Sequence, residues 1–307
     1  MRDEKNRNAS PEIADRKEIN ETPKPFHPSS LRPHPSLKIR LDQYLVEHGH
    51  ADSREKAQRM IRAGQVRQDT RVLDKPGLRV AEDAPLLVTP LHDRFVSRGG
   101  WKLEAAFDAF PLLSPSPTVC ADIGSSTGGV TDCLLQHGAS KVYAIDVGTH
   151  QLVDKIRDDE RVVVMENTNA RFLKAETLSD PIDLVVTDVS FISLKLILPA
   201  ASNILRPDTG QAVALIKPQF EAGPAGVGKG GVVRDPAVHM QVLREIVLEA
   251  VPQNGFFAAG LIPSPILGPA GNREYLLWLT RTAPENPVPY TLEGAVEAAF
   301  QITTSAH

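Results

Sequence analysis

Apolar positions along the 307-residue chain fall into distinct regimes. Over residues 1–37 they are sparse, and Pro11, Pro23, Pro25, Pro28, Pro33 and Pro35 interrupt a polar stretch that predicts a disordered tail. Over residues 38–92 they return at helical spacing. Leu41, Tyr44 and Leu45 share one face of a short helix that Gly49 ends. Ser53 is placed as the N-cap of a second helix, with Ala57, Met60 and Ile61 on one face and Gly64 as its stop. Short strand-like runs follow around Val66, Val72, Val80 and Leu86–Val88, separated by Asp69-Thr70 and Lys75-Pro76-Gly77. This span predicts a small independent α+β domain.

Beyond it the pattern becomes strand–helix alternation. Apolar runs at Thr118–Ile123, Lys141–Asp146, Arg161–Met165, Ile182–Thr187 and Gln211–Ile216 read as strands, with helical stretches such as Thr131–Gln136 and Leu194–Leu205 between them. Phe256–Leu261 and Glu274–Thr280 read as two more strands. Alternation at this spacing predicts an α/β fold, a parallel, doubly wound Rossmann-like sheet with helices on both faces, over residues 93–285. Residues 286–307 are expected to form a C-terminal helix or tail. No run approaches the ~18 consecutive apolar residues of a membrane helix, and no membrane partner is expected.

Composition sharpens this reading little: 41% hydrophobic and 23% charged residues exclude whole-chain disorder. Charge is more informative. Lys and Arg exceed Asp and Glu by 7 to 6 over residues 1–37 and by 10 to 8 over 38–90, but fall short by 17 to 24 over 91–307, giving +1, +2 and −7. A basic front on an acidic body suggests a nucleic-acid-facing module, and Arg54, Arg59, Arg62, Arg67 and Arg71 are its candidate contacts. Cys120 and Cys133 are too far apart for a CxxC pair, so a disulfide framework and a cysteine zinc site are not expected. The nine histidines are scattered, and no metal is expected. Six carboxylates in the first 37 residues argue against a transit peptide, and a cytoplasmic setting follows as the default.

Two motifs carry chemistry. Asp122-Ile-Gly124-Ser125-Ser126-Thr127-Gly128-Gly129 follows the first strand of the large domain and opens a helix. Its D-x-G-x-x-x-G-G spacing differs from the dinucleotide G-x-G-x-x-G and has the form seen in S-adenosylmethionine (SAM) sites. Asp146, 24 residues after Asp122, falls at the end of the second strand, where a carboxylate can accept from both hydroxyls of a ribose. Together they point to a nucleoside-bearing cofactor. Gly223–Gly230 nearly spells a P-loop, but Gly230 replaces the metal-binding hydroxyl and no helix pattern follows, so it reads as a mobile lid or substrate loop.

Further strand-end motifs make the likeness specific. Ser97-Arg98-Gly-Gly-Trp-Lys102-Leu-Glu104, Asp188-Val-Ser-Phe191, Lys217-Pro-Gln-Phe-Glu221 and Gly271-Asn-Arg-Glu274 occur in order, after Arg40-Leu-Asp42 and Ser53-Arg-Glu-Lys-Ala57. From about residue 38 to 280 the chain resembles the TlyA family of ribosomal RNA 2′-O-methyltransferases, historically labelled haemolysins. The resemblance implies a small RNA-binding domain named after a ribosomal small-subunit protein, followed by an FtsJ-type methyltransferase domain. It implies a catalytic tetrad at Lys102, Asp188, Lys217 and Glu274. It implies SAM contacts around Asp122, Gly124, Ser125, Gly128, Gly129, Asp146 and, near the adenine, Asn169. Arg98 joins the candidate RNA contacts. Ribosomal RNA or a ribosomal subunit is the implied partner, with no obligate protein partner evident, and a cytidine is the implied target.

The chemistry is coherent. A ribose 2′-OH is a very weak acid, so its methylation calls for a base, and a lysine serves if its pKa falls from ~10.4 toward neutrality. A second ammonium nearby pushes in that direction, which gives Lys102 a role beside Lys217. Asp188 is expected to orient Lys217 and to meet a sulfonium, and Glu274 to hold Lys102. Competing readings are a base N-methyltransferase, since Asp188-Val-Ser-Phe191 is similar to [DN]PP[YF], a pore-forming cytolysin, and a non-catalytic RNA-binding factor.

Overall fold

The computed structural model describes residues 38–62, 64–69, 71–88, 94–112 and 118–302. The expected N-terminal tail lies outside the described residues.

The small domain begins with β1 (Lys38–Arg40), which runs into a helix at Leu41–Glu47; a second helix spans Arg54–Arg62. β2 (Val66–Gln68), β3 (Arg71–Val72), β4 (Arg79–Ala81) and β5 (Leu86–Val88) follow. β2 lies between β3 and β5, and β1 pairs with β4, all antiparallel. The helical stripe behaves as its spacing requires: Leu41, Leu45, Ala57, Ile61 and Val66 are fully buried in one cluster. Ser53 caps the second helix, its Oγ accepting from Lys56 N at 3.2 Å. Asp69, in the β2–β3 hairpin, takes φ +53°, the left-handed geometry that tight hairpin turns need.

Asp42 organises this domain. It is fully buried and accepts from Arg40 Nε and Nη2 at 2.9 Å each, from Gln58 Nε2 at 3.0 Å and from Arg54 Nη2 at 3.3 Å. Both helices and β1 thus converge on one carboxylate. Arg40, then Gln58 and Arg54, hold it ionised, well below the usual carboxylate range, against the opposing effect of burial.

The large domain is built on seven strands in the order β11-β12-β10-β9-β6-β7-β8. They are β6 (Val119–Ile123), β7 (Lys141–Ile145), β8 (Val162–Met165), β9 (Leu184–Thr187), β10 (Gln211–Ile216), β11 (Phe257–Pro263) and β12 (Tyr275–Thr280). The sheet is mostly parallel, as expected, and one strand is reversed: β12 runs antiparallel to both β10 and β11. A chain leaving β11 needs only the short segment before Tyr275 to return beside it, whereas a parallel neighbour would need a crossover.

Alternate residues of the central strands feed two cores. Ala121, Ile123, Tyr143, Ile145 and Val185 face one, with the helix at Leu198–Ile204 and Val242, Leu243 and Ile246 of the helical run from Pro236. Cys120, Val142, Ala144, Leu184 and Val186 face the other, beneath helices Gly99–Ala109 and Gly129–Gln136. Both faces being covered, the strands read as nearly continuous apolar runs. The helix at Leu292–Gln301 contributes Ala295, Val296 and Ala299 to the first core. The Gly223–Gly230 segment opens no long helix, consistent with its rejection as a P-loop. It is tethered at its exit, where Asn272 Oδ1 accepts from Val233 N at 3.0 Å and Asn272 Nδ2 donates to Gly231 O at 2.8 Å.

Replacing the organising carboxylate should expose its weight. Asp42→Ala leaves four donor groups, from three side chains, facing an apolar gap, a loss of roughly 1–3 kcal/mol. Amide exchange over residues 38–88 should accelerate while β6–β10 keep their protection. Uniform acceleration across the chain, or none, would contradict the local role.

Candidate active site

One edge of the large sheet gathers the chemistry. The parallel strands β6, β9 and β10 end there, and β12, because it is reversed, begins there. Asp188 follows β9, Lys217 follows β10 and Glu274 precedes β12. Lys102 reaches the same edge from the first turn of helix Gly99–Ala109.

These four side chains meet. Lys217 Nζ lies 2.5 Å from Asp188 Oδ1, and Lys102 Nζ lies 3.5 Å from Asp188 Oδ2 and 2.7 Å from Glu274 Oε2. Lys217 Nζ also donates to Ser190 Oγ at 3.1 Å. Lys102, Lys217 and Glu274 are 7%, 7% and 3% exposed, far more hidden than solvated surface ion pairs would be. Burial alone would raise the Asp188 carboxyl, but the ammonium groups of Lys102 and Lys217 outweigh it and hold the group at about 2. Burial likewise opposes charge on Lys102, yet Asp188 and Glu274 together raise its pKa above the ordinary lysine value. Lys102 is therefore a fixed cation, clasped by two carboxylates, whereas Lys217 shares one carboxylate and a hydroxyl.

The glycine turn lies directly against this cluster. Gly124 takes φ +92°, and a Cβ there would stand 2.7 Å from the Asp188 carbonyl oxygen. Gly128 takes φ +95° as the residue before helix Gly129–Gln136, and a Cβ on Gly129 would collide with Ser97 Oγ at 2.1 Å. Asp122 accepts from Thr131 Oγ1 at 2.6 Å through one oxygen, while its other oxygen and Ser125 Oγ are buried without a hydrogen-bond partner. Burial, joined by the charges of Asp188 and Asp146, raises the Asp122 carboxyl to about 7 against the Thr131 hydrogen bond. Asp146, after β7, accepts from Ser126 N at 2.9 Å and Gly148 N at 2.7 Å, which ties it to the turn. Asn169 is exposed and caps a short helical turn through Arg171 N. Two orphaned polar atoms beside a glycine cradle fit a polar, cationic ligand, and these residues suit a SAM amino-acid moiety with its ribose toward Asp146.

The candidate RNA-facing arginines are more divided. Arg62 and Arg71 are exposed and Arg67 half-buried in β2. Arg54, also exposed, donates to Asp42 at 3.3 Å, and Arg59 Nη2 approaches Asp154 at 4.0 Å. Arg98 is half-buried, donating to Leu267 O at 2.5 Å, and its Cδ would touch a Cβ placed on Gly64 at 2.7 Å. Burial lowers its pKa against the pull of Glu274.

Pattern reading passed over several neighbours. Gln219 Nε2 donates to Glu274 Oε1 at 3.1 Å. Phe191 has φ +63° and is 87% exposed, and its ring centroid lies 5.2 Å from that of Phe220. An aromatic residue in left-handed backbone is a strained arrangement, and it was recoverable only from structure. A separate trio, Glu104, Cys133 and His137, comes together where no metal set was expected. His137 Nε2 sits 2.7 Å from Glu104, and Glu104 also pairs with Arg94, so the carboxylate already has its cation.

Asp122 has a consequence for stability. Its folded-state pKa of about 7 exceeds the ordinary 3.8, so the native state holds a proton that the unfolded chain releases. The cost is absent at low pH, grows between about 4 and about 7, and is complete above that window. In denaturant titrations of the ligand-free protein, wild type should lose stability across this window relative to Asp122→Asn. Parallel pH profiles would refute the raised value.

Comparison with known proteins follows the same two-part division. Residues 95–281 match the FtsJ-like methyltransferase family model, and residues 39–85 match the S4 domain. YqxC of Bacillus subtilis, whose name is that of an rRNA methyltransferase, is 51% identical over 80% of this chain and 86% of its own. The 16S/23S rRNA (cytidine-2′-O)-methyltransferase TlyA of Mycobacterium tuberculosis is 42% identical over 86% of this chain and 97% of its own. A solved structure from Streptococcus thermophilus, named as a hemolysin, is 44% identical, covers 86% of this chain and 96% of its own, and superposes with a TM-score of 0.66. The chain belongs to the FtsJ-like methyltransferase family, with an S4 domain preceding the methyltransferase domain.

Proposed function

We propose that this protein uses SAM to methylate a ribose 2′-OH of ribosomal RNA, at a cytidine, with Lys217 as general base and the S4 domain holding the RNA in the cytoplasm. The observation that carries the reading is the buried Lys102–Asp188–Lys217–Glu274 cluster packed against the Gly124 turn. The names of the relatives, among them an rRNA (cytidine-2′-O)-methyltransferase, support the substrate class.

Charge counting explains the division of labour. Two ammonium and two carboxylate groups make the cluster neutral as it stands. SAM, when bound at the glycine turn, supplies the methyl electrophile on a positive sulfonium. Lys102, which two carboxylates clasp, is held as a cation and is not the base. Lys217, held by a single shared carboxylate, is the group placed to take the 2′-OH proton as the O–CH3 bond would form and the S–CH3 bond of the sulfonium would break, with the neutral thioether as leaving group. Lys102 stays cationic and steadies the oxygen, and Asp188 aims Lys217. The acidic large domain gains little from a polyanion, so RNA affinity rests on the S4 domain, where Arg54, Arg62 and Arg71 are exposed. Among the described residues no helix is long and apolar enough to cross a membrane, which gives a cytolysin reading no support from a spanning helix.

The test is transfer of labelled methyl from SAM onto rRNA presented free, as subunits and as ribosomes, followed by nuclease digestion and mass spectrometry. The label should reside on a ribose. A label on the base would instead mark an N-methyltransferase. Lys217→Ala should keep SAM affinity by calorimetry and lose ~100- to 10,000-fold in turnover. Lys217→Arg should fail nearly as badly, because guanidinium keeps its proton at any working pH. Substantial rescue by arginine would show that Lys217 acts only as a clamp.

A further inference from the structure

Gln219 offers one hydrogen-bonding group that the fold does not use. It stands in the short helical turn Pro218–Glu221, two residues beyond Lys217. Its Nε2 donates to Glu274 Oε1 at 3.1 Å. A carboxylate paired with Lys102 can only accept, so the amide cannot turn round, and Oε1 is forced to face away from the cluster. That oxygen is buried and has no hydrogen-bond partner. Most buried polar atoms find one, so an unsatisfied carbonyl beside an active site marks a place where a ligand completes the pairing.

The surroundings indicate the ligand. Gln219 lines a cleft of about 660 Å³ together with Arg171, Phe191, Ile192 and Phe220. The Phe191 and Phe220 rings stand 5.2 Å apart and tilted by 51°, one of them held outward by its left-handed backbone. Aromatic walls and an arginine beside a ribose-directed site suit a nucleobase lifted out of its stack. A base reaching Gln219 Oε1 must bring a donor. Cytosine presents an exocyclic amino group on its pairing edge, whereas uracil presents a carbonyl there and would set acceptor against acceptor.

We infer that Gln219 determines specificity for the target base, its fixed Oε1 accepting from the exocyclic amino group of cytosine and rejecting uracil. The inference rests on the proposed RNA 2′-O-methylation and assigns the reading of the base to a residue outside the tetrad.

The test compares a synthetic rRNA fragment carrying the mapped target cytidine with fragments bearing 2-pyrimidinone riboside, which lacks only the amino group, or uridine at that position. Wild type should favour cytidine over 2-pyrimidinone by 10- to 100-fold in kcat/KM, and over uridine by at least as much. Gln219→Met, of similar volume, should lower both rates because Glu274 loses a donor, but the ratio should collapse to within threefold of unity. Gln219→Ala, checked for SAM binding by calorimetry, serves as the second variant. A wild-type ratio near one overturns the inference whatever the variants do. So does a ratio that survives in a SAM-binding variant, since a residue that merely supported Glu274 would slow both substrates alike. Failure of wild type to methylate the cytidine fragment, the subunit or the ribosome would instead refute the underlying reaction.

Discussion

Two ammonium groups sharing one buried carboxylate is the arrangement on which the rest of the large domain depends. Asp188 survives there as an anion because Lys102 and Lys217 flank it, and it in turn helps to hold both ammonium groups in place. Removing any one member leaves a charge without compensation in a place where water cannot supply it, which is far costlier than the net worth of the intact pairs. Glu274 completes the balance, and without it Lys102 would bring an excess charge to the sheet edge.

The glycine turn extends the same economy of space. Gly124 is compelled by φ and by the Asp188 carbonyl that a side chain would strike. Gly129 is compelled by Ser97, so the segment leading into the Lys102 helix is packed on the segment leading into the cofactor helix. Cofactor turn and tetrad are thus one packed unit rather than two neighbouring sites, and a displacement in either is felt by the other.

Much of this could be read along the chain, for identifiable physical reasons. Strands buried on both faces advertise themselves as apolar runs, and helices such as Leu41–Glu47 by a stripe, so element existence was visible. The direction of β12 was not, since an apolar run carries no sign; only the short return from β11 decides it, and that reversal is what delivers Glu274. Glycine spacing disclosed the tight turn after β6 because backbone geometry there admits little else. What stayed hidden was partnership. Nothing in the spacing of Arg54 tells that it donates to Asp42, or in that of Arg98 that it donates to Leu267. The same holds for Glu104, Cys133 and His137, which three separate turns bring together, and for Asn272, whose side chain ties down the glycine-rich segment expected to be a lid.

The reversed final strand also dictates the order in which the enzyme can come into being. β11 lies at the sheet's rim with β12 as its strand neighbour, and β12 is made after it and must slide in between β11 and β10. While the chain emerges from the ribosome, β10 and β11 therefore wait with open edges, and Lys102 waits 172 residues for its acid. Such long-range closure is slow and leaves sticky intermediates. It also means that a nascent chain stalled before residue 274 holds the cofactor turn and both lysines yet lacks their charge balance. The balance of charge arrives all at once, with the strand that carries Glu274 to the sheet edge.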